Sequence, residues 1–250
     1  MNHLEHIIES FKINYKMWIV FILSCILLSP NFNIFKGIII YMVCMLQAYW
    51  AHRVAHHYLF FFFNRAHIYH HENTDPMSHI VQVCIEISAV YLPFFMMYLL
   101  DFKDDIFPLD PYIFIMFSFF YTSVHNINYG QLHVNEVHYK HHLNYEVNYG
   151  PDICDIIFKT KYPIDSIENT DHYIPNIIVS TIIALLCKFI YTTSNYKQQI
   201  RHFIFKIYVI ISSFVAYYTY KQSIIDINKY FTKQRNDVDN KVKSILLRLI

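Results

Sequence analysis

Six long apolar runs restrict this chain more than any other feature of its sequence. They cover residues 17–29, 37–51, 80–100, 111–124, 174–190 and 203–220. Only 16% of all residues are charged, whereas a soluble domain has about 25%. Runs of this kind form helices whose apolar side chains face lipid. The sequence therefore predicts an all-α fold, a polytopic membrane helical bundle.

The first two runs, 17–29 and 37–51, are shorter than the roughly 20 residues that a straight crossing needs. They are interpreted either as a shallow helical hairpin or as crossings lengthened by tyrosine and tryptophan at their ends. No small-residue cleavage site follows the first run, so we expect no cleaved signal peptide. With no internal repeat or flexible linker, we expect one membrane domain, 1–250, with a histidine-rich core at about 47–162, apolar helices at 174–220 and a basic tail at 221–250.

Composition excludes several classes of function. The net charge is +1, which gives no electrostatic reason to expect nucleic acid as a partner. Three glycines are too few for the loops that cradle phosphate groups. The five cysteines are scattered, mostly within apolar runs, and none forms a Cys-x-x-Cys pair. We expect them to be buried small apolar side chains.

The distribution of histidine along the chain is the feature that indicates a function. Most of the 16 histidines fall in three groups. These are His52-Arg-Val-Ala-His56-His57, His67-Ile-Tyr-His70-His71 and His138-Tyr-Lys-His141-His142. Residues at i, i+3 and i+4 of a helix share a face, so each group directs two or three imidazoles the same way. A single zinc takes about four ligands, so this many histidines imply two metal ions, and imidazole suits iron, zinc and copper.

The order of the apolar runs allows the three groups to meet. The runs 80–100 and 111–124 separate the second group from the third, and two crossings return a chain to the side it left. His125, where the chain re-emerges, is an additional predicted ligand. The loop 101–110 is acidic, whereas the histidine segments and the C-terminal tail carry more lysine and arginine. The positive-inside rule then places the metal site and both termini in the cytosol, although the loop around Lys197 and Arg201 fits this orientation poorly.

Other histidines carry weaker signals. His57 is an alternative ligand in the first group, while His79 and His133 are candidates without a pattern. A lone histidine is more often an interfacial or hydrogen-bonded side chain than a ligand. We expect that role for three isolated residues, His3, His172 and His202.

The three groups, in this order, resemble the His-x3-His, His-x2-His-His and His-x2-His-His boxes of the fatty acid hydroxylase / sterol desaturase superfamily. Val124-His125-Asn126-Ile127 is similar to that family's His-x-Asn-Ile segment. Asn148-Tyr149-Gly150, followed by Asp155-Ile-Ile-Phe158-Lys-Thr160-Lys-Tyr162, is similar to its Asn-Tyr-Gly and Trp-Asp-x-x-Phe-Gly-Thr-Tyr ending. Cys154 stands where the family has tryptophan, and Lys159 where it has glycine. The resemblance covers about 47–162.

The resemblance implies a membrane-bound oxidoreductase with two iron ions (Fe2+), at positions that zinc could also take. Its substrate would be a lipid such as a fatty acyl chain, a sphingolipid or a sterol, hydroxylated or desaturated with O2. Electrons would come from a donor such as cytochrome b5 and its reductase, and the enzyme would lie in the endoplasmic reticulum membrane. The implied ligands are His52, His56, His67, His70, His71, His125, His138, His141 and His142.

Two alternatives remain open from the sequence. A membrane metal transporter would string histidines along several spans and add intramembrane carboxylates. A catalytically inactive relative would keep the metal for structure, and the two departures at Cys154 and Lys159 leave room for it. Gln82 and Glu86, inside an apolar run, are interpreted either as the lining of a substrate path or as packing.

Overall fold

The computed structural model describes residues 2–29, 33–56, 61–73, 75–99, 110–163 and 166–249, and these contain helices and turns but no strand. The predicted all-α fold is confirmed. The α-helices are α1 (His3–Ile13), α2 (Tyr15–Leu28), α3 (Ile34–Ala55), α4 (Phe61–Glu72), α5 (Pro76–Leu99), α6 (Pro111–Ser123), α7 (Val137–Leu143), α8 (Asp152–Ile157), α9 (Ile174–Thr193) and α10 (Lys197–Leu249). A π-helix, Val124–Tyr129, continues α6, and a short 3-10 helix, Asp171–Tyr173, precedes α9.

Three of the described helical segments are long and apolar enough to cross a membrane: Ile34–Ala55, Asp171–Thr193 and Gln198–Asp239. The bent pair α1 and α2, at 72° to each other, would add a fourth if it formed one span. The first of these segments is longer than the run 37–51 that the sequence suggested, because helix extends through Ala55. These helices support the prediction of an integral membrane protein.

The α10 helix is longer than the apolar run 203–220 predicts. It continues without a break through the basic segment that we expected to be a tail. Neither proline nor glycine occurs between Lys197 and Leu249, so the sequence offers no residue that would end the helix.

The principal core lies between α2, α3, α6, α8 and α9. Its fully buried side chains include Phe21, Ile40, Tyr49 and Met116. The α2 and α3 helices approach closely at Gly37, where an added Cβ would lie 3.1 Å from the backbone carbon of Cys25. This core fixes α3, which carries the first histidine group, against α6, which leads to His125.

A second, smaller core joins α4 and α5 to α10. It consists of Ala66, Val81, Ile85 and Val215, each at most 8% exposed. Because α4 carries the second histidine group, this core positions those imidazoles opposite the ones that α3 and α6 supply.

Candidate metal centre

The structure brings eight of the nine predicted ligands into two adjacent clusters and places the ninth, His142, beside one of them. Cluster A and cluster B are each defined by ring nitrogens that lie within 4.8 Å of one another. His142 extends cluster B, because its Nε2 lies 2.8 Å from Nε2 of His138. Cluster A is His52, His56, His67, His71 and His141, and cluster B is His70, His125 and His138.

Each His-x-x-His-His box supplies both clusters. On α4, His67 and His71 enter cluster A, while His70 enters cluster B. On α7 the division is reversed, with His141 in cluster A and His138 in cluster B. Residues at i, i+3 and i+4 lie on one side of a helix, but i+3 and i+4 are neighbours in sequence and differ by about 100° around the helix axis. One box can therefore serve two metal positions.

The π-helix positions His125, the predicted ligand that does not belong to a box. Continuing α6 beyond Ser123 with wider i to i+5 turns rotates the side chains that follow. Nε2 of His125 consequently lies 2.9 Å from Nε2 of His138, and the side chain of His125 is buried. Single π-helical turns occur frequently at functional sites.

Distances between imidazoles in both clusters fit a bound transition metal. Nε2 of His67 lies 3.0 Å from Nε2 of His56 and 3.0 Å from Nε2 of His71. A metal–nitrogen bond is about 2.1 Å, so two nitrogens at right angles around one ion lie about 3.0 Å apart. The spacing of the rings therefore matches a shared metal position.

Hydrogen bonds on the outer side of the rings fix which nitrogen faces inward. Nδ1 of His52 lies 2.5 Å from the carbonyl oxygen of Tyr149, and Nδ1 of His141 lies 2.6 Å from that of Val147. A carbonyl only accepts, so each Nδ1 carries the proton and donates it. In the neutral ring, Nε2 then carries a lone pair that is directed into cluster A, as a metal ligand requires.

Several ring nitrogens of the two clusters lack a hydrogen-bond partner in the described structure. They include Nε2 of His52 and both ring nitrogens of His70, all of them buried. A buried polar atom without a partner costs free energy. The Nε2 lone pairs of His52 and His141 face other ring nitrogens, and two lone pairs cannot form a hydrogen bond with each other. A cation between the rings would bind these lone pairs. The residues present therefore fit a metal in each cluster.

Burial and neighbouring imidazoles disfavour the charged form of two of these rings, His71 and His142. Burial, together with the imidazole of His67, lowers the pKa of His71 well below its ordinary value. Burial and the neighbouring His125 lower the pKa of His142 to about 4. Neutral imidazoles retain the lone pair that a metal binds, so ligation competes little with protons at neutral pH.

Two polar residues of α5 connect the clusters. Nδ1 of His67, in cluster A, lies 3.1 Å from Oε1 of Gln82. Nε2 of Gln82 donates to Oε1 of Glu86 at 2.9 Å. The same carboxylate oxygen accepts from Nδ1 of His125, in cluster B. Gln82 and Glu86 are both buried, and their hydrogen bonds orient two of the predicted ligands, a role that neither sequence interpretation named.

The loop that contains the Asn-Tyr-Gly segment is held in place by hydrogen bonds to Asp155 and Asn148. Asp155 accepts from the backbone N–H groups of Tyr149 and Gly150, at 2.9 and 2.6 Å, and from the hydroxyl of Thr160 at 2.7 Å. The side chain of Asn148 donates to the carbonyl of Tyr162 and accepts from its N–H, both at 2.8 Å. These bonds hold the loop whose carbonyl groups orient His52 and His141.

Lys159, which stands where the resembled family has glycine, adopts a backbone conformation typical of glycine. Lys159 has φ of 59°, in the left-handed region that glycine adopts without strain. Its side chain is exposed, and Thr160 keeps its bond to Asp155. The Cys154 side chain is buried, with Sγ 3.8 Å from the carbonyl of Met45. Neither departure displaces Asp155 from the loop it holds.

Replacing Lys159 by glycine is expected to stabilise the protein. A left-handed conformation costs a non-glycine residue roughly 1 kcal/mol, so thermal unfolding in detergent should move up by about 2–4 °C. Lys159→Ala serves as control, since it removes the charge and retains the Cβ. An equal rise in both variants would mean that the lysine side chain, and not the backbone, is responsible.

The remaining histidines separate as follows. His79 lies near cluster B, with its ring centroid 5.6 Å from that of His70. His133 is exposed and lies in neither cluster, and His57 lies outside the described residues.

The sequence did not predict the carbonyl acceptors at Val147 and Tyr149, because a backbone acceptor has no residue signature.

Comparisons with known proteins give one positive finding. Residues 37–160 match a family model described as fatty acid hydroxylase. A search of curated proteins and a search of solved structures found no match. The matched segment contains all nine predicted ligands together with Glu86 and Asp155, and it ends before α9.

Proposed function

Since the chain belongs to the fatty acid hydroxylase family, we propose that it is a membrane-bound oxidoreductase that uses two irons and O2 to hydroxylate, or desaturate, a lipid. Family membership itself supports a function of the hydroxylase or desaturase type. The choice of iron, the oxidant and the lipid belong to the proposal.

The observation that carries the proposal is the division of the histidines into two clusters that share the same helices. Ring centroids of His71, in cluster A, and His142, beside cluster B, are 4.1 Å apart. Two metal positions would therefore be neighbours, and the candidate ligands that define them are imidazole nitrogens. Iron accepts imidazole readily, whereas a structural zinc needs only about four ligands.

Iron bound in both clusters would supply activation of O2 and oxidation of an unactivated C–H bond. In hydroxylation one oxygen atom enters the C–H bond and the other leaves as water, with two electrons and two protons from outside. The residues of this chain orient the ligands through Val147, Tyr149 and Glu86. Tyr149 and Glu86 are buried, which would limit the access of bulk water to the centre.

A lipid is the substrate that suits this position. Large apolar side chains of α9 are exposed, among them Ile182, Leu186 and Phe189, as expected for a surface that faces acyl chains. His52 lies near the end of the candidate span Ile34–Ala55, and the other candidate ligands lie outside the three candidate spans. We propose the endoplasmic reticulum membrane with the centre on the cytosolic side, and a donor such as cytochrome b5 with its reductase.

The two alternatives explain fewer observations. A transporter would distribute its ligands along a path, but eight of the nine histidines are gathered in two compact clusters and His142 lies beside one of them. An inactive relative would be favoured by a damaged motif. Asp155 and Thr160 nevertheless retain their hydrogen bonds beside Cys154 and Lys159.

Lipid analysis of a host that expresses the chain tests the proposal. We expect an oxidised lipid that depends on O2 and is absent with the His141→Ala variant. Protein purified without oxygen should contain about two irons. Less than one iron per chain after full loading, or identical lipids with both chains, would contradict the proposed function. Metal uptake into proteoliposomes without O2 consumption would favour the transporter.

A further inference from the structure

A groove lies between α5, α6 and α10, outside the metal centre. It has a volume of about 490 Å³, within the range of about 300–1,000 Å³ for ligand pockets. Its walls are mostly apolar, with Val83 and Ile87 from α5 and Ile207 and Ile211 from α10. The α10 helix lies beyond the segment that matches the family model, so the family does not define this wall.

One wall of the groove carries a polar stripe. Ser118, Thr122 and Asn126 follow one another at intervals of four residues along α6 and the π-helix. At about 1.5 Å per residue, the stripe is roughly 12 Å long. It ends at the metal centre, because Nδ2 of Asn126 donates to Oε2 of Glu86 at 2.9 Å and that carboxylate holds His125.

Three hydroxyl groups in this groove have no hydrogen-bond partner in the described structure. They belong to Ser88, Ser118 and Thr122, and their oxygens are buried. The serine residues are only 7% and 3% exposed. A buried hydroxyl without a partner is costly, and the apolar walls give water few sites to bind. The stripe is therefore suited to a ligand that brings its own polar group.

We propose that this groove binds a long-chain lipid that carries a hydroxyl or amide group along its length. The apolar walls would hold the chain, and the hydroxyl groups of Ser118 and Thr122 would bond to its polar group. Apolar residues of α10 outside the groove, such as Phe203 and Ile210, are exposed on a candidate membrane span. A lipid would enter the groove from the bilayer on that side. This inference rests on the proposed function, because it names the class of substrate that the metal centre would oxidise.

Photochemical labelling of the full chain in lipid nanodiscs tests the groove. The probes are a long-chain alcohol with a diazirine in mid-chain and the matching alkane. We expect the alcohol to label the groove more than the alkane, by about five-fold for one hydrogen bond. Ser118→Ala combined with Thr122→Val should abolish the preference. Ile207→Trp should fill the groove and reduce labelling by both probes.

Ile210→Trp is the matched control, since Ile210 is 68% exposed on the same helix and does not line the groove. Labelling that is unchanged by Ile207→Trp, or equal on the groove and the outer face, would overturn the proposal. A preference that survives removal of both hydroxyl groups would overturn the role of the stripe.

The labelling also separates this inference from the proposed function. In the His141→Ala chain, which should not oxidise lipid, we expect groove labelling to persist. Labelling in the unaltered chain without any O2-dependent product would contradict the proposed function and leave the groove in place. An oxidised product without groove labelling would contradict the groove alone.

Discussion

Replacing His125 by alanine is expected to remove one of the two metals and all detectable lipid oxidation. Cluster B consists of three histidines with His142 beside them, so loss of His125 leaves fewer than the four donors that hold a metal firmly. It also leaves the buried carboxylate of Glu86 without the imidazole it binds. Iron measured per chain should fall from about two to about one.

The larger cluster offers a matched comparison. Cluster A has five histidines, so His56→Ala leaves four nitrogen donors and should retain about two metals per chain. His3→Ala changes an exposed histidine that belongs to neither cluster and should alter nothing. Helical content by circular dichroism shows whether each variant is folded. Full iron in folded His125→Ala, with unchanged turnover, would contradict the assignment of cluster B.

Spacing along the sequence predicted the three histidine groups and their common side, because the helical repeat alone relates i to i+3 and i+4. It did not predict that His70 and His71 serve different clusters. That division depends on how the helices are placed in space. The α4 helix packs through Ala66 against Val81 and Val215, and the carbonyl groups of Tyr149 and Val147 orient His52 and His141. Such contacts are distant in sequence and have no local pattern.

Local conformation was predictable where a residue type demands it and unpredictable elsewhere. Asn33 and Asp110 cap α3 and α6 with their side chains, as these residue types do. The π-helix after Ser123 has no comparable signature, although it decides where His125 points. Glu86 did leave a signal, since a carboxylate within an apolar run is costly unless it has a partner. The sequence could not name that partner.

Glu86→Gln is expected to weaken the metal in cluster B by about 10–100-fold, the usual cost of losing an outer hydrogen bond to a ligand. Glutamine preserves the size of the side chain. It removes the negative charge behind His125 and replaces one of the oxygens that accept from Gln82 and Asn126 with a donor.

Dialysis against a graded series of chelator concentrations measures the effect. The first metal lost from Glu86→Gln should leave at a chelator concentration about 10–100-fold lower than from the unaltered chain, and the second should be retained longer. Glu136→Gln is the control, because Glu136 is exposed and pairs only with Lys140 among the described ion pairs. Equal retention in all three proteins would show that the carboxylate is not needed to hold the ligand. Because Gln82 joins Glu86 to His67, a smaller loss from cluster A should accompany the larger one, and its size measures how strongly the two metal positions are coupled.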